Sequence, residues 1–158
     1  MIGGVDMPRE RVVLKLLAVV VSLLPVALAA QSWQEPARGS ATRTALMDAI
    51  RPHVEWKLGP PVEFLVYDLR VAGDVAFANL YPQRPGGAAI DLYQTPAFRR
   101  GELDPQEIDG AGVQVLYRKT GSTWVALHWL IGAGDVWWSD PAYCPNWRLV
   151  IPEACQGF

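Results

Sequence analysis

The chain has 158 residues, with 14 basic and 16 acidic side chains and a formal net charge of −2. That balance argues against nucleic acid or an anionic membrane surface as the main partner, because both need a concentrated positive field. With only two cysteines and two histidines, a dense disulfide framework or a metal-ligand set is not expected either.

Arg9, Arg11 and Lys15 give a basic start, and Leu16 to Ala30 then run without a charge, interrupted by Pro25, to an Ala27-Leu28-Ala29 pattern. This predicts a cleaved secretory signal peptide over residues 1–30. The apolar run is shorter than the roughly 20 residues of a spanning helix, so no membrane anchor is expected after cleavage. The expected location is the periplasm. Cleavage removes three basic and two acidic residues, leaving 128 residues with 11 basic against 14 acidic, net −3. That is the size of one domain, large enough to bury a core. Residues 31–40 are polar and read as a flexible leader.

A helix is expected after Ser40 or Thr42, either of which can cap it. Leu46, Ala49, Ile50, His53, Val54, Lys57 and Leu58 fall on one face, and Gly59 with Pro60-Pro61 stops it. Pro52 inside this pattern predicts a kink or a division. Val62–Val71 and Val75–Tyr81 form a first hairpin; Phe64 and Val66 are out of phase with Leu69 and Val71, which implies either a bulge near Tyr67-Asp68 or a strand covered on both faces. Val113–Lys119 and Thr123–Ile131 form a second. Strict alternation in the last strand places Trp124, Ala126, His128 and Leu130 on one face and Val125, Leu127, Trp129 and Ile131 on the other, which predicts a central strand covered twice. Between the hairpins, Pro82 to Gly112 is long enough to be a lid or partner-binding loop, or else a cover packed on the sheet, with short helices around Thr95–Arg99 and Asp104–Glu107.

The expected fold is α+β: an N-terminal kinked helix packed on a four-stranded antiparallel sheet over residues 41–138, closed by a tail over 139–158. Its element order looks like the cystatin-like or nuclear-transport-factor-like architecture, a likeness that supplies no function. Leu46 to Gly87, with Leu58-Gly59-Pro60-Pro61-Val62-Glu63-Phe64, Leu69-Arg70-Val71 and Pro82-Gln83-Arg84-Pro85-Gly86-Gly87, is similar to a group of small exported proteobacterial proteins of unknown function. Trp124 through Gly132, followed by Asp135-Val136-Trp137, resembles that group's second signature. The resemblance implies an exported single domain and carries no catalytic residues.

In an oxidising compartment Cys144 and Cys155 are expected to pair as a structural disulfide, contributing about 2.5–3 kcal/mol in the chain-entropy model. The aromatic tail holding Trp137, Trp138, Tyr143 and Trp147 is either a recognition surface or a clamp for that disulfide. Arginine outnumbers lysine nine to two in residues 31–158, which suits bidentate recognition of phosphate or carboxylate and puts Arg84 among the binding candidates, although coding-base composition explains the excess as well. His128 is the acid/base candidate, with Asp135, Asp68 or Glu63 to orient it; the alternative is a buried histidine satisfied by a carbonyl. No nucleophile motif, phosphate loop or cofactor signature accompanies it. The sequence thus points to a non-catalytic domain binding a protein or envelope component, with a small-molecule enzyme around His128 as the alternative.

Overall fold

The first helix, α1, spans Ala41–Leu58. Ser40 starts it: its hydroxyl oxygen accepts from the Arg43 amide at 3.2 Å, satisfying one donor that a helix start leaves unpaired. Leu46, Ile50, Val54 and Leu58 recur every four residues and are all buried, each contributing about 1.5–3 kcal/mol by leaving water. The expected division at Pro52 does not occur; one helix runs through it. The bond that proline forfeits belongs to the Asp48 carbonyl, and both residues lie on the exposed side, where solvent takes the place of the missing donor. His53, placed by its spacing on the face of Leu46 and Ile50, is exposed, with its ring 5.2 Å from that of Trp129. These features come from a computed structural model that describes residues 33–157 and, before them, Met1, Gly3 and Gly4. The signal peptide expected over residues 1–30 otherwise lies outside the described residues.

Four strands, β1 (Glu63–Ala72), β2 (Val75–Gln83), β3 (Val113–Thr120) and β4 (Thr123–Ile131), form an open antiparallel sheet in chain order, with α1 packed against it. The register of β1 shifts between Val66 and Asp68. Tyr67 is the extra residue there, and Phe64, Val66, Leu69 and Val71 all pack on the helix-side core, as the expected bulge requires.

Strand β4 departs from expectation. It is an edge strand, and its register shifts opposite Leu116 and Tyr117, inserting Leu127. Trp124 and Ala126 therefore share the core face with Trp129 and Ile131, while His128 pairs across to Leu116 on the other face. Strict alternation fails because one inserted residue reverses every side chain after it.

The segment from Arg84 to Gly112 covers the sheet end. Ile90 and Ala111 are buried in the helix-side core, and Leu92 and Leu103 pack against it. A short helix, α2 (Pro96–Arg99), stands where expected, capped by buried Thr95. Asp104–Glu107 forms a turn instead of a helix: the Asp104 carboxylate accepts from the Gln106 amide at 2.9 Å, a local bond that competes with helix formation. Glu102 ties the segment to α1, meeting Lys57 at 2.8 Å and Arg100 at 2.6 Å. Arg100 and then Lys57, by hydrogen bonding to it, hold the Glu102 carboxyl down at about 2. Gly132 fixes the segment's return, because a Cβ there would lie 2.6 Å from that of Ile108 and its φ is +69°.

The tail packs on the opposite face of the sheet. Cys144 and Cys155 are joined, and with Trp147, Val150 and Ile151 they form a second core against Ala72, Val75, Phe77 and Leu116. Cys144 and Trp147 belong to a one-turn helix, α3 (Cys144–Trp147). Among the described residues no helix is long and apolar enough to cross a membrane.

Candidate binding surfaces

The aromatic candidates converge where the tail meets the sheet. Trp147 is buried and donates its indole N–H to the Tyr117 carbonyl at 2.8 Å. Tyr143 lies 6.0 Å from Trp147 and 5.5 Å from Trp137, centroid to centroid, and Trp138 lies 4.9 Å from Phe77. Trp137, Trp138 and Tyr143 are half-buried. These contacts fasten the tail, and they leave only parts of three rings for any outside partner.

His128 is exposed, not buried as expected. Its ring is flanked by Tyr143 at 5.1 Å and Trp147 at 5.3 Å. The bulge at Leu127 turned it onto the tail face. Asp68 and Glu63 lie in β1, three strands away, or roughly 14 Å at ordinary strand spacing, too far to orient it. Asp68 instead pairs with Arg70 at 2.6 Å, and Asp135 is exposed in the turn after β4. Among the described residues the contacts of the imidazole are these two aromatic rings, and the acid that orients a general base does not come to it from β1. Tyr117, in the core, is no substitute, because burial pushes its hydroxyl well above its ordinary range.

Arg84 is engaged at the end of α1. Its guanidinium donates to the carbonyls of Leu58 at 2.9 Å, Pro61 at 3.1 Å and Gly59. A cation there satisfies carbonyls that the helix leaves unpaired and opposes the negative end of its dipole.

Sequence reasoning passed over Arg70. It pairs with Asp68 and with Glu153, each at 2.6 Å, donates to the Val150 carbonyl at 3.1 Å, and lies over the rings of Trp33 and Phe77. One side chain thereby joins β1, the residues before α1 and the tail. Its sequence signal was a lone arginine on a strand whose neighbours are apolar.

The other overlooked feature is the outer edge of β1. Gln34 makes a two-bond antiparallel bridge with Val71, both bonds 2.9 Å, so the Val71 backbone points away from β2. Stepping back through the register, Val66 opposite Leu80 and Phe64 opposite Pro82 point the same way; Pro82, with no N–H, suits such a pair. Beside this edge a cleft of about 500 Å³ opens between α1 and β1, lined by Arg38, Met47, Arg51, Phe64 and Val66 among others. Leu65 and Tyr67 are 45% and 68% exposed on the same stretch. Among the described residues this stretch of backbone has no partner, and a strand edge of that kind beside a cleft of mixed charged and apolar lining is a template for another strand.

The chain matches no family model, no curated protein and no solved structure.

Proposed function

We propose that this is an exported, periplasmic, non-catalytic domain that binds a protein partner by taking an extended segment of it along the outer edge of β1. The backbone of Phe64 and Val66 beside the cleft, unpaired among the described residues, carries this reading. A row of alternating N–H and C=O groups is complemented by another polypeptide backbone, and apolar side chains at alternate positions of that segment find Met47, Phe64 and Val66 in the cleft. Gln34 already occupies the neighbouring position in the same antiparallel manner, and an incoming strand continues the pattern. The Cys144–Cys155 disulfide accords with an oxidising compartment.

The test is a displayed library of random peptides selected against residues 31–158, followed by affinities for two variants. Val66→Pro removes an outward N–H without touching the β1–β2 ladder, and Leu65→Lys places a charge on the exposed edge. Both are expected to abolish binding of the selected peptides while circular dichroism stays native. Peptides that bind both variants as well as the parent would sink the proposal.

A further inference from the structure

The tail covers only part of its face of the sheet. Arg70, Phe77, Leu116 and His128 form one cross-strand row beneath or beside it, and the next row, Asp68, Asn79, Gln114 and Leu130, lies beyond. There, a cavity of about 340 Å³ is bounded by Tyr67, Tyr81, Asn79, Gln114, Asp109 and the backbone around Gly110. The two tyrosine rings stand edge to face, 6.4 Å apart. Buried polar atoms are almost always paired, yet the Gln114 side-chain oxygen is buried without a hydrogen-bond partner among the described residues. Asn79, half-buried on the neighbouring strand, likewise makes no side-chain hydrogen bond to a described residue.

We propose that this cavity binds a neutral, hydroxyl-rich ligand: a pyranose ring, free or within a glycan. Each amide side chain both donates and accepts, which matches adjacent sugar hydroxyls, and the Asp109 carboxylate accepts from a third. The exposed face of Tyr67 offers the apolar C–H side of a sugar ring a surface to pack on. No lysine or arginine lines the cavity, so phosphate and carboxylate ligands lack a counter-charge there. The volume lies at the small end of ligand pockets, suited to one ring and not to a large cofactor. Tyr67 borders both this cavity and the exposed stretch of β1, but Asn79 and Gln114 belong to the cavity alone, so shifts at their amides test this site independently of the backbone edge.

The experiment is an NMR titration of residues 31–158 with glucose, N-acetylglucosamine, cellotetraose and chitotetraose, following the side-chain amides of Asn79 and Gln114. Saturable shifts of both amides with at least one probe are expected. Tetramers binding better than monomers would identify a glycan as the source, and equal affinity a free sugar. Tyr67→Ala, a change at an exposed ring that leaves the fold intact, and Asn79→Ala should each weaken binding about tenfold, the equivalent of one hydrogen bond or ring contact. The proposal is overturned if no probe shifts these amides, or if Tyr67→Ala binds as tightly as the parent.

Discussion

The two faces of the sheet are closed in different ways. On one side a single helix lays an unbroken stripe of Leu46, Ile50, Val54 and Leu58 against the core. On the other, a tail with only one-turn helices packs Trp147, Val150 and Ile151 into a smaller apolar core against Phe77 and Leu116, and a disulfide, ring contacts and Arg70 fasten it there. The helix distributes its stability over many contacts of one regular element, whereas the tail, short of regular structure, adds to its apolar contacts a few specific links. The helix side should therefore fail globally and the tail side locally.

Ile50→Ala sharpens this contrast most. Removing a fully buried branched side chain should lower unfolding free energy by about 2–5 kcal/mol, read as a shift in urea midpoint with every probe moving together. Replacing Cys144 and Cys155 with serine should cost about 2.5–3 kcal/mol in the loop-entropy model, in the lower half of that range. Its signature is local: amides of residues 144–155 exchange faster while those of Leu46 to Val54 stay protected. Equal loss of protection in α1 would break the distinction. Arg70→Met keeps apolar contact with Trp33 and Phe77 but removes the charge, and should cost about 1–2 kcal/mol for a half-buried, charge-assisted set of hydrogen bonds, with protection lost first in the tail.

The smallest effect is a pH dependence on the helix side. The Glu102 carboxyl titrates at about 2 beside Arg100 and Lys57, below its ordinary 4.5. A depressed carboxylate contributes stability above its unfolded value and loses it as pH falls. The attachment of residues 100–103 to α1 should loosen as pH drops from about 4.5 toward about 2, seen in the fluorescence of Trp56, over which Arg100 lies at 4.5 Å. Glu102→Gln should abolish that transition, and an unchanged transition would place its origin elsewhere.

The helix, the four strands, the β1 bulge and the disulfide were legible because each has a local signature: a cap, a period, a phase break, a pair of cysteines. The β4 bulge was not. Leu127 sits in an apolar run where neither face announces itself, so the alternation of Trp124 through Ile131 read as continuous and His128 went to the wrong face. The division at Pro52 did not follow because its cost depends on which side of the helix carries the lost bond. The roles of Arg84 and Arg70 depend on partners 26 and 83 residues away, beyond any local pattern. The open edge of β1 followed from strand order, which no single segment encodes.

Residue-resolved amide exchange on free residues 31–158, before any partner is added, tests the open edge most directly. Phe64 and Val66 should exchange rapidly, while Leu65, paired with Tyr81 in the ladder, and Val71, bonded to Gln34, should be protected. Slow exchange at Phe64 and Val66 would mean that the edge is already covered, and the proposed docking of an extended segment would have no backbone left to meet it.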